Sequence, residues 1–220
     1  MDVELRYITQ LIGNWTSIFV VPLMAIIIAI RLFREYKQTK QINYVRLLIL
    51  CIFIAFTWAI IPTNMAEVPP FNTFISGEII GLTEEKINPY SISIGLMVSF
   101  ALSLIAYANK WEILYYTALS FYPTILASAI LNNMDPAFDI FNMYYIYTAA
   151  VIGIVFFYVT GFRLRDNGSL GLGILFSIAF GALAFGENVI GDIFTISIAI
   201  FGLIFSLGFF TPFKTKQIEG

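Results

Sequence analysis

The chain contains no histidine and a single cysteine, Cys51. The first absence removes histidine-ligated zinc or copper, a haem axial histidine, histidine-based triads and the usual proton shuttle. The second removes any intrachain disulfide. Charge is also scarce. Only 12% of residues are Asp, Glu, Lys or Arg, against roughly 25% in soluble domains. The net charge of −2 gives no case for nucleic acid. Residues 1–10 lack the basic segment and small-residue cleavage site of a signal peptide.

What is present is apolar. Hydrophobic residues make up 59% of the chain and aromatics 17%, and the mean hydropathy is +0.85. A soluble fold of 220 residues has no interior large enough to hide this surface, so lipid is the expected solvent. Apolar runs occur at about 11–30, 45–62, 89–107, 113–131, 141–162, 169–185 and 193–213. Each approaches the ~20 residues that a helix needs to cross a bilayer. The expected fold is an all-α integral membrane protein, a single domain over 1–220 built as a bundle of seven transmembrane helices. Pro22 and Pro123 lie inside two of the runs and are expected to kink them. Asn14-Trp15-Thr16 has the form of a glycosylation sequon, but its place in the first run favours a polar helix-start residue beside an interfacial tryptophan.

Charge sets the orientation. The connection 31–46 carries Arg31, Arg34, Lys37, Lys40 and Arg46 against the single acid Glu35. With seven crossings, Lys110, Arg163, Arg165, Lys214 and Lys216 fall on that same side, and only Arg6 and Lys86 fall on the other. Cations are retained inside, so the N-terminus is expected outside and the C-terminus in the cytoplasm, with the cell membrane as the location. The one long connection, 63–88, is then external. Its stretch PPFNTFISGEIIGL fits either a hairpin or a short interfacial helix.

Lipid tails give no hydrophobic drive between spans, so small residues four apart mark the expected helix contacts. These are Ser91, Gly95, Ser99 and Ser103 in the third run, Ser169, Gly173, Ser177 and Gly181 in the sixth, and Gly202 and Ser206 in the seventh. Ser120, Thr124 and Ser128 form a similar stripe in the fourth.

Chemistry-bearing motifs are weak. No Asp, Glu, Lys or Arg lies well inside a run, which argues against a pump or proton-coupled carrier. Asp135 and Asp139 have the spacing of a magnesium-diphosphate pair, but no second acid-rich motif accompanies them, and they read as a solvated turn. Gly171-Leu172-Gly173 lacks the preceding strand of a phosphate-binding loop. The Glu84-Glu85 pair is similar to the acidic pair of membrane CAAX-type proteases, yet no histidine exists to complete that site. The seven-span, N-out layout is similar to that of microbial rhodopsins, but retinal needs a lysine in the last span, and Lys214 lies beyond it.

The functional expectation is a non-enzymatic accessory or structural subunit. It needs no cofactor or metal, and its partners are the bilayer and other membrane subunits or further copies of itself. A small-solute transporter or channel, and a receptor or sensor with an external ligand site, are the alternatives.

Overall fold

The computed structural model describes residues 2–68, 89–132, 137–185 and 188–210. Among them are no strands. The elements are α1 (Asp2–Thr39), α2 (Tyr44–Glu67), α3 (Pro89–Asn109), α4 (Glu112–Asn132), α5 (Ala137–Leu164), α6 (Asn167–Phe185) and α7 (Val189–Ile204), with a π turn over Phe205–Phe209 closing α7. Among the described residues, three stretches are long and apolar enough to cross a membrane: Tyr7–Thr39, Tyr144–Leu164 and Val189–Phe209. Shorter apolar helical stretches cover Tyr44–Trp58, Gly95–Asn109 and Asn167–Ala182.

The helices are apolar on all sides. In α1, Val21 and Met24 are buried while Phe19 and Ile26 face outward; in α5, Phe157 is buried while Val155 and Val159 face outward. That pattern belongs to helices surrounded by apolar matter on every face.

Helix ends differ from the sequence expectation in several places; α1 already starts at Asp2 rather than near 11, and α5 at Ala137 rather than near 141. The basic connection 31–46 is mostly helix, because α1 runs on to Thr39 and the turn shrinks to residues 40–43. Charged, straight-chain residues are good helix formers, and the hydropathy break marks where the apolar face ends rather than where the helix ends. Likewise α2 continues to Glu67, so residues 63–67 of the expected external loop are helical. Residues 69–88, 133–136 and 211–213 of the expected features lie outside the described residues, Asp135 among them. The two prolines expected to kink their runs lie within helices, Pro22 in α1 and Pro123 in α4, and α2 also continues through Pro62. Asn14 is a mid-helix residue rather than a helix start, and it is buried, which closes it to a glycan.

Neighbouring helices in sequence pack side by side, and α1 closes against α7. In addition α3 touches α5 directly. The result is a ring of α1, α2, α3, α5, α6 and α7, with α4 set outside it in the groove between α3 and α5. At the centre Phe53, Met97, Leu175, Phe176 and Ile198 converge from four helices. They leave an opening of only about 20 Å³, lined by apolar side chains.

Two of the helix hairpins turn in the same way. At the end of α3 the N–H of Lys110 bonds to Tyr107 O and that of Trp111 to Ala106 O; at the end of α5 the N–H of Arg165 bonds to Phe162 O and that of Asp166 to Gly161 O. This paired pattern is the Schellman cap, whose pivot residue is left-handed and usually glycine. Here the pivots are cations, Lys110 at φ 56° and Arg165 at φ 50°, and Lys40 after α1 sits at φ 57°. A positive charge beside three helix C-termini offsets part of the conformational cost through the helix dipoles.

Candidate functional site

The seam between α1 and α7 carries polar ties at both ends. Near the start of each helix Thr9 Oγ1 donates to Asp192 Oδ2 at 2.8 Å. At the far end Arg31 Nη1 donates to the Ser206 carbonyl at 2.7 Å. The π turn there leaves carbonyls without helical partners, and the guanidinium supplies a charged donor to one of them. Gly208, at φ 100°, makes room: a Cβ there would lie 2.5 Å from Arg31 Nη2. Between the ties Met24, fully buried, fills the notch at Gly202, where a Cβ would stand 2.5 Å from its sulfur.

Of the other basic residues around the α1–α2 turn, Arg46 is tied locally. Arg46 Nη1 lies 2.8 Å from Glu35 Oε2. Asn43 donates its side-chain amide to Glu35 Oε1 at 3.1 Å, and its own oxygen accepts from the Arg46 N–H.

The small residues singled out from sequence have separate surroundings. In α6, Gly173 lies against Phe157 and Tyr158 of α5, and the Ser177 hydroxyl is 3.1 Å from Tyr158 Oη. Gly181 on the same helix instead faces Phe194 of α7. Steps of four residues rotate about 40° each around a helix, so one stripe serves α5 at its start and α7 at its end. Ser169 works at the helix start: its N–H and its hydroxyl both donate to Asp166 Oδ2, at 2.7 and 2.8 Å. In α3, Gly95 and Ser99 are buried, and Ser103 is half-buried with its hydroxyl bonded to Ser99 O. Ser206 is buried and bonds back to Leu203 O. The Ser91 and Ser128 side chains lie outside the described part of the structure. Ser120 and Thr124 of α4 are exposed, so that stripe faces away from the ring rather than into a helix contact of this chain.

Sequence reasoning missed several close approaches. Gly161 sits over Leu170 across the α5–α6 turn, and Gly171 over Phe210 and Phe205. It also missed the cap at Asp166, although an aspartate three residues before a serine was a usable signal.

A sizeable opening lies at the corner where α4 stands off the ring. It is a slot of about 280 Å³ between α3, α4 and α5. Leu102, Ile105 and Ala106 form one wall, and Ala149 and Ile152 form another. Ring pairs bracket its ends: Phe121 stacks on Tyr145 at 4.8 Å, and Trp111 meets Phe156 edge-on at 5.5 Å. Thr148 and Ile152 are exposed at its open side. Its lining offers no nucleophile paired with a base, and among the described residues no group of His, Cys, Asp or Glu could hold a metal ion. No family model, curated protein or solved structure matches the chain.

Proposed function

We propose that this chain is a seven-span protein of the cell membrane, with its N-terminus outside and its C-terminus in the cytoplasm. In this reading it serves as a non-enzymatic accessory subunit that packs laterally against other membrane proteins or further copies of itself. Helix lengths support seven crossings: α6, at 19 residues, reaches about 28 Å at 1.5 Å per residue, and α7 with its π turn runs over 21 residues, Val189–Phe209. The orientation rests on the cations, which include the left-handed pivots Lys40, Lys110 and Arg165, all at one end of the ring.

One observation carries the subunit reading: the apolar side chains packed on the ring axis, together with the exposure of α4. Phe53, Phe176 and Met97 fill the space that a transported solute would use. Meanwhile α4 turns Ser120 and Thr124 outward, and small residues four apart let a second helix approach closely. Purification in a mild detergent, with the co-purifying proteins weighed by mass spectrometry, tests this. The expected result is a stoichiometric partner or a homo-oligomer that is lost in Ser120→Leu/Thr124→Leu, with the melting temperature unchanged. A monomeric chain that moves solute when reconstituted alone would replace this reading with the transporter; a saturable, ligand-dependent rise in melting temperature would replace it with the sensor.

A further inference from the structure

We infer that the slot beneath α4 holds one acyl chain of an anionic phospholipid of the cytoplasmic leaflet, with its phosphate at Lys110 and Arg163. This inference rests on the membrane orientation proposed above.

The shape of the slot points to a hydrocarbon chain. From Trp111 at the α3–α4 turn it runs along α4 to Phe121, a rise of about 15 Å. That is roughly half of a ~30 Å hydrocarbon layer, the depth of one leaflet. It opens sideways past Thr148 and Ile152, toward lipid rather than toward water. Its walls are aliphatic and aromatic, so water inside would lack the two to four polar partners that hold a buried water. At about 280 Å³ it is also far larger than the packing voids usual in a folded interior. A flexible apolar chain from the surrounding leaflet meets every one of these conditions.

Charge at one end sets the headgroup. Trp111 closes the slot on the side of the α3–α4 turn, and Lys110 is the exposed residue next to it. Asn109 Nδ2 donates to Thr160 Oγ1 at 2.8 Å, which draws the ends of α3 and α5 together. Arg163 and Arg165, both exposed, follow within two turns of Thr160. The acids nearby are Glu112, exposed in the first turn of α4, and Asp166, which is buried and engaged by Ser169. The end of the slot therefore presents a cationic surface at headgroup depth, beside the interfacial ring of Trp111.

Tryptophan quenching by brominated acyl chains tests this in the full-length chain. The protein has three tryptophans. Trp15→Phe/Trp58→Phe leaves Trp111 as the slot reporter, and Trp15→Phe/Trp111→Phe leaves Trp58, 65% exposed on α2, as the reporter of bulk lipid. Both are reconstituted in vesicles containing brominated phosphatidylglycerol or brominated phosphatidylcholine. The expected result is Trp111 quenching in excess of Trp58, with a preference for the glycerol headgroup that falls about fivefold for each cation removed in Lys110→Gln and Arg163→Gln. Ala149→Phe, which fills the slot, should abolish the excess. The two surface variants keep the test independent of whether that core variant folds. Quenching of Trp58 with no excess at Trp111, or an excess equal for both headgroups, overturns the proposal while leaving the membrane reading intact. No quenching at either position removes both.

Discussion

At the α1–α7 seam every gap is closed: Met24 occupies the Gly202 notch, and a hydrogen bond ties each end. At the α3–α4–α5 corner, two alanines, two leucines and two isoleucines face a slot large enough for a ligand, and the helix covering it lies outside the ring. Both regions are apolar and both join helices by short-range packing. The difference is that the seam brings side chains of α1 and α7 to fit one another, whereas α4, though packed along α3, leaves the slot between itself and α5 unfilled. In lipid, where contact rather than hydrophobic drive holds helices, the seam is expected to carry stability and the corner to carry adaptability.

The sharpest way to break this comparison is Gly202→Leu. Met24 is fully buried and has nowhere to retreat, so the variant is expected to lose about 3 kcal/mol or more and to purify as aggregate on size-exclusion chromatography. Gly173→Leu and Gly181→Leu, which press on Phe157 and Phe194, should lower the melting temperature in detergent in the same manner. Next comes Arg31→Met, which removes the charged donor from the Ser206 carbonyl; it should cost about 1.5–3 kcal/mol, read by thermal melting. Thr9→Val at the other end of the seam removes a neutral donor to Asp192, with an expected loss near 1 kcal/mol.

The corner should respond in the opposite sense. Gly153 of α5 lies beside it, and a Cβ there meets nothing within 4 Å. Gly153→Ala is therefore expected to raise stability by about 0.5–1 kcal/mol through helix propensity alone. If this substitution proves as damaging as those at Gly202 or Gly181, the contrast between the two regions is wrong.

Much of the helical content was legible because apolar runs of span length leave few alternatives. Each run, as far as it is described, falls inside a helix or the π turn after α7. Helix ends were less legible. Arg34, Lys37 and Glu67 are polar yet helical, and hydropathy measures solvent preference rather than backbone geometry. The left-handed pivots were invisible for a related reason. Lysine and arginine pay a conformational cost there that glycine avoids, so composition gives no hint of Lys110 or Arg165 in that role. The outlying position of α4 is a matter of which faces meet, and a helix that is apolar all round does not encode that in its period. The reach of Arg31 to Ser206 spans 175 residues of sequence, and no local pattern announces it.

That last separation has a consequence for biogenesis. The surface of α1 that ends up against α7 is synthesised long before its mate. At 5–20 residues per second, the 175 residues between Arg31 and Ser206 correspond to a delay on the order of ten seconds or more. During that interval Thr9, the Met24 flank and the Arg31 guanidinium face something other than their final neighbours. The ring therefore shuts only once α7 has left the ribosome, well after α1 is made.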